Sequence, residues 1–213
     1  MKTKIAALGM IVLGFAADGP AAPAVEPGIV LGLNMSRLSG PGLGVDWETK
    51  GGFTAGAVLT FSLTDFFALQ PGLFYAQKGG LSEEPLANGK VRLALRLSHL
   101  DLPLIARLSA PTGPEAKFRP YLLGGASYSL KLSATLRTDL VDEYDMETTI
   151  DESPAEGLKS GGFNAVLGGG FEVTISNYRF LAEVRYSRGL STLMADGSDL
   201  RQSVTSILFG FVF

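Results

Sequence analysis

The chain has 213 residues, 46% of them apolar, with 27 glycines, no cysteine, one histidine and a formal net charge of −3. A disulfide framework and thiol chemistry are excluded, and the slightly acidic balance argues against a broad nucleic-acid surface. Past the first two dozen residues nothing approaches the ~18 consecutive apolar residues of a membrane-crossing helix, an exclusion that does not touch a barrel of strands.

Met1 to Lys4 carries two lysines, Ile5 to Ala17 is thirteen residues without a charge, and small residues follow as far as Ala22-Pro23-Ala24. A short positive head, an apolar middle and small residues near a cut read as a secretory signal peptide over residues 1–24, cleaved between Ala16 and Ala24. Residues 25–213 are then one mature domain.

The mature chain alternates apolar and polar residues with period two, the pattern of strands with two unlike faces. Gly28 to Arg37 is predicted as the first strand, with Ile29, Leu31, Leu33 and Met35 on one face. A polar loop, Ser39 to Lys50, holds the single tryptophan, Trp47. Gly52 to Leu63 is the second strand, where only Val58 breaks the alternation. Thr64-Asp65 is a tight turn into the third strand, in which Pro71 predicts a local irregularity because it cannot donate to a ladder. Gly79 to Lys90 reads as a second long loop.

The fourth strand, Val91 to Leu108, changes phase midway. Leu93, Leu95 and Leu97 share odd numbers, whereas Leu100, Leu102, Leu104 and Ala106 share even ones. One extra residue near Ser98-His99 would produce that switch, so a β-bulge is expected there. Ser109 to Lys117 is a turn, and Phe118 to Ala134 is the fifth strand. Thr135 to Lys159 is the longest predicted break. Its acidic run holds Asp139, Asp142, Glu143, Asp145, Glu147, Asp151, Glu152 and Glu156, with no basic residue between the first and the last. A solvated outer loop is the leading reading, with a divalent-cation site as the weaker one. Phe163 to Ile175 and Tyr178 to Leu190 are the sixth and seventh strands, joined at Ser176-Asn177. Ser191 to Gln202 is a polar loop. The last strand, Ser203 to Phe213, puts Ile207, Phe209, Phe211 and Phe213 on one face.

Eight strands joined by alternately long and short connections fit an all-β, eight-stranded antiparallel up-and-down transmembrane barrel, with short periplasmic turns and longer outer loops. If the uniformly apolar faces meet lipid, the opposite faces line the barrel. Those carry Asp101, Arg107, Glu172, Glu183 and Arg185, together with Lys78 and Lys131. Charges inside a narrow barrel must pair or be hydrated, so Glu183, Arg185, Asp101 and Arg107 are expected to form an interior ion-pair network. The interior of such a barrel is just wide enough for side chains to fill. A plugged lumen is therefore expected, and a narrow channel or a soluble lipocalin-like carrier is the competing reading.

Enzymatic chemistry finds little support in the sequence. Ser98 and His99 are adjacent on a strand and point to opposite faces, which suits neither a nucleophile nor its base. One histidine makes a metal hydrolase improbable, and no cofactor is implied. Trp47 and the outer loops offer a surface to an unidentified partner, Trp47 reading equally as an aromatic at the rim.

Several stretches together resemble the PorT-like family of outer-membrane β-barrel proteins: Gly32-Leu33-Asn34-Met35-Ser36, then Leu69-Gln70-Pro71-Gly72-Leu73-Phe74-Tyr75-Ala76-Gln77-Lys78-Gly79, Leu100-Asp101-Leu102-Pro103-Leu104, and Val184-Arg185-Tyr186-Ser187-Arg188-Gly189-Leu190. The family often has glutamate at the position of Gly72 and at that of Asp101. The resemblance implies an eight-stranded barrel in the outer membrane, with lipid as its surroundings. The terminal Phe213 resembles the C-terminal signal that the barrel-assembly machinery reads. No activity is implied.

Overall fold

The computed structural model describes residues 24–40, 48–86, 89–112, 116–141, 146–176, 178–196 and 199–213. Most of the expected signal peptide, Trp47, Asn177 and the acidic residues Asp142, Glu143 and Asp145 lie outside the described residues. Nine strands are described: β1 (Ala24–Ser39), β2 (Lys50–Ser62), β3 (Phe67–Leu86), β4 (Gly89–Ser109), β5 (Phe118–Val141), β6 (Glu147–Pro154), β7 (Gly161–Ile175), β8 (Tyr178–Gly189) and β9 (Arg201–Val212). Each pairs antiparallel with its neighbour. The β1–β9 ladder joins the two ends of the chain, and β4–β5 completes the ring. Eight of the nine make an up-and-down barrel. The ninth, β6, pairs with the upper part of β5, Thr135 to Val141, while β7 pairs with the lower part, Phe118 to Leu130.

Two expected loops are largely strand. The ladder between β3 and β4 runs on to Leu86 and Gly89, through all the described residues of the stretch expected to be loop. The acidic segment forms the β5–β6 hairpin. Charge suppressed the alternation signal there. These extensions stand above the lipid, so charged residues interrupt their outward face and the lipid-facing period is missing.

The exterior follows the predicted parity. Leu31, Leu33, Leu104, Leu122, Phe163, Leu167 and Phe209 are all more than half exposed, while Val30, Ser36, Arg107, Leu208 and Val212 are buried. The exposed apolar belt runs from Phe66, Leu108, Phe118, Ile175 and Tyr178 up to Met35, Phe53, Leu132 and Phe163. On β4 this leaves about nine residues between Leu100 and Leu108, the length a tilted strand needs to cross hydrocarbon. A soluble carrier would bury this face, so the lipocalin-like reading does not hold.

The interior is less polar than alternation suggests. Val30, Val58, Phe74, Leu181, Leu208 and Val212 form one inward cluster, and Ile105, Tyr121, Leu123 and Val166 another. Val58, the exception on the second strand, is thus a core residue. Volume between buried ion pairs must be filled at solid-like density, and apolar side chains do that without a desolvation cost.

The expected bulge is where the ladder changes register, between Ser98 and His99. Its extra residue lies on the other strand. Ser98 faces Ser133 and His99 faces Lys131, so Leu132 of β5 is unmatched, while the β3–β4 register passes this level unbroken. The odd residues of β4 therefore point inward throughout. Leu95 and Leu97 are buried with Leu38 and Leu200 in an apolar cap over the lumen. The phase change read on the fourth strand is a change of chemistry, from ionic interior to apolar cap. At Pro71 the expected irregularity is a lapse in pairing: β2–β3 partners stop at Val58–Gly72 and resume at Phe61–Leu69 in the same register.

Above the belt, the outward face of the β3–β4 hairpin is held by charge. Glu83 accepts from Lys90 Nζ and Arg92 Nε, each at 2.8 Å. These hydrogen bonds hold the Glu83 carboxyl below the usual carboxylate range, Lys90 being the larger influence. A depressed folded-state value means stabilisation that is present above the unfolded pKa of about 4.3 and lost as pH falls through the folded one. Amide protection across Leu81–Leu93 is expected to drop below about pH 4 and to lose that dependence in Glu83→Gln. Protection that ignores pH in the native chain would contradict the assignment.

Candidate functional site

Inward-facing polar residues gather in layers along the lumen. At the periplasmic end Arg107 of β4 and Glu172 of β7 meet at 2.7 Å, both buried. The Arg107 guanidinium also lies 3.8 Å over the Tyr121 ring. Its Nε and Nη1 have no hydrogen-bond partner among the described residues, so Glu172 and the ring face of Tyr121 carry its compensation. Below this layer Arg179 pairs with Glu26 at 2.6 Å.

In the middle layer Tyr121 donates to Glu183 Oε1 at 2.6 Å. Arg185, two residues along β8 and so on the same face, pairs with Glu183 Oε2 at 2.6 Å. It also donates to Gln70 Oε1 at 3.2 Å, and Gln70 donates in turn to Thr60. Tyr121 thus links the two arginine layers, one through its ring and one through its hydroxyl. In the upper layer Lys78 Nζ is 2.7 Å from Asp101. Ser129 donates to the same carboxylate at 2.5 Å, and Asn164 donates to Ser129 at 2.9 Å. His99 is buried above this layer, while Lys131 donates to the Leu158 carbonyl at 2.7 Å.

The sequence-predicted interior residues are therefore all inside, divided among separate pairs. Glu183 meets Arg185. Arg107 meets Glu172, and Asp101 meets Lys78 rather than either arginine. Cross-lumen partners depend on shear and height, which a one-dimensional parity does not carry. Gln70 and Tyr121 stood on the inward parity, but nothing local marked them as links.

Charges in the three layers cancel: Lys78, Arg107 and Arg185 against Asp101, Glu172 and Glu183. Selective pores use rings of one sign, and these layers have none. Cavities within the barrel measure about 60 Å³ beside Asn34, Lys78 and Arg185, and about 20 Å³ beside His99 and Gln202. A cavity on this measure needs about 10–15 Å³ to hold one water, so such spaces suit a few waters. The Ser98 hydroxyl lies 3.1 Å from the Tyr75 hydroxyl, on the outward face, and His99 is buried on the inward one. The two do not form a nucleophile–base pair.

The family model for the outer membrane protein beta-barrel domain matches residues 21–195. The chain belongs to this family of bacterial outer-membrane barrels. Among solved structures, this outer-membrane barrel is similar to Neisserial surface protein A (13% identity, 88% of this chain and 97% of that one, TM-score 0.46). It is similar to OprG from Pseudomonas aeruginosa (16% identity, 89% and 94%, TM-score 0.48). It is also similar to Ail, the attachment invasion locus protein of Yersinia pestis (12% identity, 88% and 98%, TM-score 0.43). No curated protein matches. The barrel spans the bacterial outer membrane, with its short turns on the periplasmic side and its longer hairpins outside.

Proposed function

We propose that this outer-membrane barrel is a closed, non-enzymatic scaffold that presents its outer hairpins to a surface partner and conducts no solute. The observation that carries the reading is the neutral stack of buried ion pairs beneath the apolar cap of Leu38, Leu95, Leu97 and Leu200. Opening a path would separate desolvated charges, each costing several kcal/mol or about that order. The β5–β6 hairpin supports the interactive half of the proposal. Met146 and Ile150 stand 67% and 60% exposed there, well above the lipid belt. Apolar side chains held on an ordered, water-facing hairpin fit a protein contact. Lipid against the belt and the assembly machinery against β9, which leads to Phe213, complete the set of partners. Within the family, the Leu69 to Gly79 stretch favours a place in the PorT-like group.

Liposome swelling tests closure. Vesicles carrying the refolded barrel are expected to swell in isotonic sugar no faster than empty ones. Swelling that is specific to the protein would establish the narrow-channel reading instead.

A further inference from the structure

Just above the lipid belt, the outward face of β3, β4 and β5 turns polar. Gln77, Arg96, Ser98, Ser133 and Thr135 of that face line a cavity of about 410 Å³, together with Lys50 of β2 and with Lys78 and Leu97, which reach it from the inward side of the wall. Beside it, at the top of the belt, the Phe53 and Tyr75 rings meet at a tilt with centroids 5.5 Å apart, and the Tyr75 hydroxyl accepts from Gln77 at 3.4 Å. Aromatic rings with a polar tip mark the level of the headgroups.

Lys50 is built into this place. Gly79, at φ +154°, keeps clear the space its side chain crosses. A Cβ there would collide with the Leu95 carbonyl and lie 3.2 Å from Lys50 Cδ. Lys50 Nζ donates to that carbonyl at 3.2 Å, which engages one of its three protons. Burial, then the neighbouring Arg96 and Arg137, lower Lys50 to about 8, so cations crowd here. Arg92 and Arg137 on the same face have carboxylate partners, Glu83 and Asp139. Arg96 is exposed and makes no hydrogen bond or ion pair among the described residues. The carboxylate on the lining, Glu152, stands opposite Arg137 in the β5–β6 ladder.

We propose that this cavity binds the phosphate of a phosphorylated lipid in the outer leaflet, with Arg96 and Lys50 on the anion and the Ser98, Ser133 and Thr135 hydroxyls donating around it. Arginine is the side chain best suited to a phosphate fork, and basic pockets at the membrane surface take anionic headgroups. The position selects a lipid over a soluble anion. Arg96 and Ser98 stand on β4 directly above the exposed Leu102 and Leu104, which offer a track for acyl chains.

The test uses the full barrel refolded in a neutral detergent, with lipid binding read by native mass spectrometry. Phosphatidic acid is expected to bind at least about tenfold more tightly than phosphatidylcholine. Arg96→Gln and Lys50→Gln should each abolish most of that preference, Arg96→Lys should keep part of it, and Lys90→Gln, on the paired hairpin above, should leave it intact. A heat-modifiability gel checks that each variant is folded. Equal binding of the two lipids, an unchanged Arg96→Gln, or an equal loss in Lys90→Gln would overturn the proposal. Displacement of phosphatidic acid by an equal concentration of inorganic phosphate would overturn the lipid assignment.

Discussion

Replacing Glu172 by glutamine is expected to destabilise the barrel by about 3–5 kcal/mol, because it strands a buried guanidinium. Arg107 is 2% exposed, and its ion-pair partner among the described residues is Glu172 at 2.7 Å. The Tyr121 ring offsets about 2 kcal/mol, which falls short of the cost of a lone buried charge. Removing both charges together is a different experiment. Arg107→Met with Glu172→Leu exchanges the pair for apolar volume, and is expected to fall within about 1–2 kcal/mol of the native chain, of either sign. Guanidinium titration of the refolded barrel in phospholipid bilayers measures both. If Glu172→Gln and the double variant were equally destabilised, the loss would be one of packing and the ionic account of this layer would fail.

Leu104→Arg is the second large effect. Leu104 is 57% exposed and lies near the middle of the belt, between Leu100 and Leu108. Arginine on the lipid face at mid-depth costs about 2–4 kcal/mol. On a water-facing surface the same change would stay within about 0.5 kcal/mol. Leu104→Met, which keeps an apolar surface, is expected to be nearly neutral. The same bilayer titration distinguishes these outcomes, and a tolerated arginine would place β4 in water.

Alternation alone was enough to locate the lipid-facing strands. A residue that meets hydrocarbon on one face and a packed lumen on the other carries a period of two along its whole length, as Phe53 to Leu63 does. Where the strands leave the membrane that contrast vanishes. Glu83, Lys90, Arg137 and Asp139 all lie on ladders, and nothing in their alternation says so. The apolar interior was hidden for a related reason. Val58, Leu95 and Leu97 fill volume inside the barrel, yet an inward leucine has the same chemistry as a lipid-facing one. The register change at Ser98/His99 was legible as a disturbance but not in its placement, since Leu132 sits on the neighbouring strand. Pairing across the lumen needs the shear of the ring, so Lys78 with Asp101 and Tyr121 with Glu183 appear only once the ladders are fixed.

The chain lacks cysteine, so single cysteines can be introduced along β1 and spin-labelled without removing any native thiol. Oxygen accessibility in bilayers is then expected to alternate: high at residues 29, 31, 33 and 35, low at 30, 32, 34 and 36. The native side chains at 29, 31, 33 and 35 are 49–63% exposed, whereas Val30, Asn34 and Ser36 are at most 3% exposed. An inverted or flat profile would mean that this strand does not turn its leucines to lipid, and the barrel as described would not exist.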